Sequence, residues 1–341
     1  MSKLGINATR VDGPAKIRGW AQYTGDIELP GMVYAKVLRS THPHARLVRV
    51  DASKAEKFPG VVAVLTRDDF AGQKSTFGSV VKDQGIVATE RVRYVGDVIA
   101  AVAAEERDIA EEAVDLIKVE YEPLPAVFDP VEAMKPDAPI VHNERTKAES
   151  FPSKSGFRLE AGGNVLSVYH VEEGDVGVWF SESDEIFEDV YSSPKIQHAH
   201  LEPHSVAAYW EPSGKLVEYT STQNPSAIRA QLAELFDLPQ SKVRVIVPFV
   251  GGGYGAKTHL RLEPLVAALA RKAHRPVQWV LTREEVFVTA HCQAAVVKIK
   301  TGVKNDGTIV ARQVEAVYDA GAFALTSTNT ARNGGEVSGG P

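Results

Sequence analysis

Residues 243–257 read Val-Arg-Val-Ile-Val-Pro-Phe-Val-Gly-Gly-Gly-Tyr-Gly-Ala-Lys. The β-branched and aromatic run from Val243 to Phe249 predicts a strand. Downstream, Leu262, Leu265, Val266 and Leu269 recur at helical spacing, so the glycines stand between a strand and a helix. Glycine lacks a Cβ and admits positive φ, which lets consecutive backbone amides converge on a ligand that side chains would hold away. A helix N-terminus beyond the turn would add its attraction for anionic groups. Gly252, Gly253, Tyr254 and Gly255 are therefore expected to form a backbone cradle for an organic cofactor; the alternative is a tight turn that holds nothing.

Two nucleotide motifs lie close to this stretch. The dinucleotide fingerprint G-x-G-x-x-G would use Gly251 and Gly253, with Ala256 in the last place as its looser form allows. The acidic residue expected about 20 positions on is missing, since Arg271 and Lys272 stand there. The phosphate-binding pattern G-x-x-x-x-G-K-[ST] is met by Gly251, Lys257 and Thr258 but again fails at Ala256. A P-loop-like nucleotide-binding module is accordingly the alternative function, with a non-catalytic structural subunit as a third.

Working outward, Ser221-Thr222-Gln223-Asn224-Pro225 predicts a helix start, because the Asn side chain can cap an orphan amide and Pro at the first helical position wastes no donor. Gln223 sits just ahead of it, an uncharged amide able to present both a donor and an acceptor. Strands are expected at Met32–Val37, Leu47–Val50, Val61–Leu65, Val98–Val102, Ser205–Trp210, Leu216–Tyr219 and Val277–Leu281. Between Glu105 and Ile117, Ile109, Ala113, Val114 and Ile117 share one helical face, and Lys118–Tyr121 returns as a strand. Asn305-Asp306-Gly307 between two alternating runs signals a hairpin. Pro, Gly, Ser and Asn accumulate from Glu132 to Leu166, and Ala331 to Pro341 reads as a glycine-rich loop that leaves the fold unfinished.

The 341 residues suggest about two domains, since single cores stop growing near about 250–300 residues. Hydrophobic residues make up 44% and charged residues 24%, an ordinary globular balance. A net charge of -6 without long basic runs argues against nucleic acid as a partner. One cysteine, Cys292, excludes a disulfide framework and any cysteine-ligated iron–sulfur or zinc centre built from this chain alone. Apolar runs fall short of the about 18 residues a membrane span needs, and the first residues are not a signal peptide, so a soluble, cytoplasmic chain is expected.

Other candidates are weaker. His198, His200, Glu202 and His204 would share one face of a strand and could converge on a metal, but Pro203 interrupts such a strand, and no metal site is assigned. Cys292 next to His291 has no orienting third group and reads as an unreactive thiol.

Taken in order, the segments resemble the large, molybdopterin-binding subunit of the xanthine dehydrogenase and aldehyde oxidase family of molybdenum hydroxylases. The matching residues are Arg10-Val11-Asp12-Gly13, Lys16-Ile17-Arg18-Gly19, Arg39-Ser40-Thr41-His42-Pro43-His44-Ala45, Tyr94-Val95-Gly96-Asp97, Val119-Glu120-Tyr121-Glu122-Pro123, Gln197-His198 with Leu201-Glu202-Pro203, Ser221 to Pro225, and Gly251 to Lys257. The resemblance implies an α+β fold: an a/b hammerhead domain with an N-terminal arm over 1–145, a linker over 146–165, and the first, incomplete part of a mixed α/β molybdopterin-binding domain over 166–341. It implies hydroxylation of an aldehyde or N-heteroaromatic carbon with water-derived oxygen. Gln223 would be the catalytic residue, and Gln223, Gly252, Gly253, Tyr254 and Gly255 would bind molybdenum-molybdopterin, in its cytosine dinucleotide form if the source is bacterial. A [2Fe-2S] small subunit, an FAD medium subunit and the remainder of the molybdopterin-binding subunit would be the partners, and this chain alone would be catalytically incomplete. Two positions depart from the family pattern: Tyr254 replaces the usual Phe, and Thr258 stands where xanthine-specific members carry a Glu, which counts against a purine substrate.

Overall fold

The computed structural model describes residues 5, 7, 9–142, 158–159 and 163–338. Its main elements are β1 (Val33–Arg39), β2 (Ala45–Asp51), β3 (Val61–Leu65), β4 (Val98–Ala104), α1 (Arg107–Asp115), β5 (Lys118–Pro123), β6 (Glu185–Ser193), β7 (Ser205–Trp210), β8 (Leu216–Thr220), α2 (Pro225–Leu235), β9 (Val243–Ile246), α3 (Glu263–Ala273), β10 (Val277–Val280), α4 (Arg283–Thr289), β11 (Ala295–Val303), β12 (Ile309–Tyr318) and α5 (Ser327–Ser338). The mixture is α+β. The expected linker over 146–165 lies mostly outside the described residues.

A seven-stranded mixed sheet in the order β9-β8-β7-β10-β1-β4-β3 takes strands from both ends of the chain. The seam is the parallel pairing of β1 with β10, which sets Val33 beside Val277. Strand β4 is buried from Ile99 to Ala104 because helices cover both of its faces, the pattern expected of a near-continuous apolar strand. Helix α1 packs on one side through Ala110, Ala113 and Val114, together with Ile117 just beyond it. On the other side α3 is almost wholly enclosed, with Leu265, Val266 and Leu269 in the main core, and its run of alanines lets strands approach closely. A second sheet pairs β2 with β5 and with Arg91–Val92, and a third joins β6, β11 and β12.

Local signals carry over where the backbone itself fixes them. Asn224 caps α2, its Oδ1 accepting from the Ala227 N–H at 3.3 Å. The β11–β12 hairpin turns at Gly307, whose φ is +88. Three expectations are corrected. The strand β9 stops at Ile246, because Pro248 has no N–H to continue the ladder; Phe249 instead donates to the Gln22 carbonyl at 3.1 Å, beside the N-terminal arm. The second helix does not follow the glycines directly but starts at Glu263, so its N-terminus is not part of the cradle. The C-terminal stretch is helical from Ser327 to Ser338, with Gly334 and Gly335 packed close to Tyr318 and Tyr169, where a larger residue would collide.

One buried acid just ahead of β4 has a thermodynamic consequence. Asp97 accepts from the Arg93 N–H at 3.0 Å, and burial raises its pKa from 3.8 to about 7. The folded state thus holds this proton more tightly than the unfolded chain. Its stabilising contribution is present below the unfolded value and is lost as pH rises to about 7. The Asp97→Asn variant is expected to unfold at a higher temperature than wild type at pH 8, with the difference gone by about pH 4. Parallel pH profiles of the two thermal midpoints would contradict this.

Candidate functional site

The glycine turn is held from three sides. Gly251 donates its N–H to Glu202 Oε2 at 2.7 Å and accepts from the Glu202 N–H at 3.0 Å, and it must be glycine because a Cβ there would lie 2.6 Å from Glu202 Cβ. Gly255 and Lys257 donate their N–H groups to Gln223 Oε1 at 3.0 and 3.4 Å. In return the Lys257 carbonyl accepts from the Gln223 N–H at 2.8 Å and from the Thr222 hydroxyl at 2.9 Å. A residue just before α2 is thereby fastened to a turn a full helix and strand away.

The effect on Gln223 is specific. Its carbonyl oxygen must face the two amide donors, so its Nε2 points the other way, and that nitrogen makes no hydrogen bond among the described residues. Gly253 lies against it: a Cβ at Gly253 would come within 2.6 Å of Gln223 Cδ. The N–H groups of Gly252, Gly253 and Tyr254 likewise have no hydrogen-bond partner among the described residues, whereas Ala256 donates to the Gly253 carbonyl at 2.8 Å. Gly252 and Gly255 have φ of +99 and +95, and between them Tyr254 adopts φ +51 with its ring 73% exposed. A left-handed tyrosine is strained by an order of 1 kcal/mol and persists only where the surrounding turn imposes it. The sequence-predicted residues Gln223, Gly252, Gly253, Tyr254 and Gly255 are thus brought together as one donor-rich surface.

Beneath the turn lies a part that the sequence did not single out. The side chain of Lys257 is fully buried and pairs with Glu202 Oε2 at 2.8 Å. Burial pulls its pKa below the ordinary lysine value, against the opposing pull of the Glu202 carboxylate. Removing one partner of such a pair costs roughly 3–5 kcal/mol, because the other charge is left uncompensated. This geometry is incompatible with a P-loop: Lys257 faces inward to a carboxylate, and the Thr258 hydroxyl donates to the Gly255 carbonyl at 2.8 Å. A signal was available in Leu201-Glu202-Pro203 and Gly251-Ala256-Lys257, but only folding reveals that they meet.

The rings of His200 and His204 meet edge to face with centroids 4.9 Å apart, while His198 faces Cys292. Ala199 has φ +51, which breaks any strand through 197–204. His200 shares a hydrogen bond at 2.6 Å with the Glu202 carbonyl, His204 one at 3.2 Å with the Ala256 carbonyl, and Glu202 is committed to Lys257. Burial lowers the pKa of both imidazoles, that of His204 strongly, which keeps them neutral inside the fold. Among the described residues no group of three or more His, Cys, Asp or Glu is placed to hold a metal ion. Cys292 is exposed, and its Sγ lies 3.3 Å from His198 Nε2 rather than beside His291.

Comparison with known proteins places this chain in a family. The sequence model of the molybdopterin cofactor-binding domain matches residues 158–341, and that of the aldehyde oxidase and xanthine dehydrogenase a/b hammerhead domain matches residues 18–125. The chain is 38% identical over 322 residues to the nicotinate dehydrogenase large molybdopterin subunit of Eubacterium barkeri, covering 94% of this chain and 71% of that one. It is 39% identical over 318 residues to a probable xanthine dehydrogenase subunit of Bacillus subtilis, covering 92% of this chain but 40% of that one. Among solved structures, quinoline 2-oxidoreductase from Pseudomonas putida 86 superposes with a TM-score of 0.79 at 29% identity, and carbon monoxide dehydrogenase from Oligotropha carboxidovorans with 0.81 at 29%. Each covers 92% of this chain, which spans 39% of either structure. From the hammerhead domain through the molybdopterin-binding domain, the chain belongs to the xanthine dehydrogenase and aldehyde oxidase family of molybdenum hydroxylases and corresponds to part of its molybdopterin-binding large subunit.

Proposed function

We propose that the surface formed by Gln223 and Gly252–Gly255 is one wall of the molybdenum-molybdopterin site of an oxidoreductase that hydroxylates an N-heteroaromatic or aldehyde carbon with oxygen from water. The observation that carries this is the fixed amide of Gln223. Two backbone donors occupy its oxygen, which leaves Nε2 as an oriented, uncharged donor beside three uncommitted backbone N–H groups. The surface fits the cofactor: its uncommitted donors suit anionic oxygens, and the turn is open at Gly255, where a Cβ would meet only His198 Nε2 at 4.0 Å.

When bound, the cofactor supplies two-electron redox chemistry and oxygen transfer, which no side chain of this site provides. The chain's own residues bind and orient. Gln223 Nε2 would donate to an acceptor on the cofactor, and preorganised donors of this kind act without reorganising during the reaction. The Tyr254 ring lies against Gly252, where a Cβ would approach it to 3.4 Å. An N-heteroaromatic substrate is favoured by the names of the relatives, nicotinate dehydrogenase and quinoline 2-oxidoreductase. Thr258, whose hydroxyl is spent on the Gly255 carbonyl, offers no carboxylate to a purine.

Electrons must leave through centres this chain cannot build, since Cys292 is its single cysteine. Iron–sulfur and FAD subunits, and the rest of the molybdopterin-binding subunit, are the partners we propose, with the cytosine dinucleotide form of the cofactor and a cytoplasmic location. The length of most relatives supports this, as does β6, exposed along its whole length with Phe187, Val190 and Tyr191 outward. Among the described residues no helix is long and apolar enough to cross a membrane.

The test is Gln223→Glu in the assembled enzyme, which keeps an acceptor for Gly255 and Lys257 but removes the donor. A fall in kcat of about 10²–10³-fold is expected, the cost of losing one preorganised donor. Molybdenum content should stay close to that of wild type. An unchanged kcat in a folded, loaded enzyme would favour a structural role for this subunit.

A further inference from the structure

We infer that Glu202, with Lys257 as its buried counter-ion, is a positioning residue that holds the glycine turn open for the cofactor; the inference rests on the cofactor reading given above. Glu202 lies outside the donor surface, yet it grips the first residue of the turn twice, through its carboxylate to the Gly251 N–H at 2.7 Å and through its own N–H to the Gly251 carbonyl at 3.0 Å. Lys257, at the far end of the same turn, closes the ring with its ammonium on that carboxylate at 2.8 Å. The two ends of the turn are therefore tied to one carboxylate.

The tie also reaches Gln223. The backbone of Lys257 both donates to the Gln223 side chain and accepts from the Gln223 N–H, so a shift of Lys257 moves the amide that faces the cofactor. Both charges are largely withdrawn from solvent: the Lys257 side chain is 0% exposed and that of Glu202 10%. Glu202 Oε1 is buried without a hydrogen-bond partner among the described residues, where the carboxylate is held by Lys257 and Gly251. A carboxylate kept inside at that cost, with its bonded oxygen on a turn amide, acts as a clamp beneath the surface, in the way outer partners orient the groups that touch a metal.

Two charge-neutral variants separate positioning from mere stability, because neither buries an unpaired charge. Lys257→Met with Glu202→Gln keeps an acceptor for the Gly251 N–H. Lys257→Met with Glu202→Met removes it. Each is made in the enzyme assembled from the full chain and its partner subunits, and molybdenum per folded molecule is measured by metal analysis alongside the thermal midpoint. The first variant is expected to load within about threefold of wild type and the second to lose roughly 10- to 100-fold. A residue that only stabilised the fold would lower the midpoint and leave molybdenum per folded molecule unchanged in both. Equal loading of the two variants would overturn the inference. Absence of molybdenum from the wild-type enzyme would instead sink the cofactor assignment and leave the clamp geometry as a description of the turn.

Discussion

Gly253→Ala is expected to lower kcat about 100-fold while moving the thermal midpoint by no more than about 2 °C. Gly253 is not at positive φ, so alanine meets no backbone penalty there. The effect comes from space alone, since the new methyl group would stand 2.6 Å from Gln223 Cδ. The far end of a flexible side chain yields to such a contact at little cost to the fold. Gln223 would then leave Gly255 and Lys257, and its Nε2 would no longer point into the site. Displacement of a positioned group by about 1 Å is enough to cost a factor of the stated size. Steady-state kinetics of the assembled enzyme and a melting curve on the same preparation decide the matter. Wild-type kcat would mean that the placement of Gln223 is not used.

Leu269→Ala should do the reverse, lowering stability by about 3–5 kcal/mol with no direct effect on the site. Leu269 is fully buried at the centre of α3, in the core that includes Val33 and Leu65 from one end of the chain and Val206, Leu216 and Leu232 from the other. Its removal leaves a cavity that the surrounding sheet and helix cannot close, because each neighbour is itself fixed by the seven-stranded ladder. The thermal midpoint is expected to fall on the order of 5–10 °C. Molybdenum per folded molecule should remain that of wild type. A loss below about 1 kcal/mol in chemical denaturation would show that the core relaxes around the gap.

The two substitutions mark the boundary between what is legible in sequence and what is not. The burial of Leu269 follows from its place beside Leu265 and Val266 on a helical period, and the absence of a side chain at Gly253 is itself the signal of a close approach. Neither reading says what lies opposite. That Gly253 abuts Gln223 depends on the path of the chain through α2 and β9. That α3 begins at Glu263, and not directly after the glycines, depends on turn 256–262, where Arg261 donates to the carbonyls of Ala256 and Thr289 at 3.3 and 2.7 Å. The histidine group shows the opposite case: spacing suggested one shared face, but the left-handed Ala199 turns the segment, His198 meets Cys292, and His200 and His204 take different carbonyls.

By itself, the sequence determined the features that are set within a few residues: the cap at Asn224 and Pro225, the hairpin at Gly307, the apolar face of α1, the side-chain-poor turn at 251–255 and the ordered motifs that identify the family. The local features depend on backbone preference and periodicity, which a short window contains; the family is carried by a resemblance of the motifs in their order along the chain. Tertiary structure alone decided that β1 pairs with β10, that Glu202 and Lys257 share one buried bond, and that the Gln223 amide is turned by Gly255 and Lys257. Each of these joins residues tens or hundreds of positions apart, and such a contact exists only once long-range strand pairing has repaid the entropy of bringing the chain together.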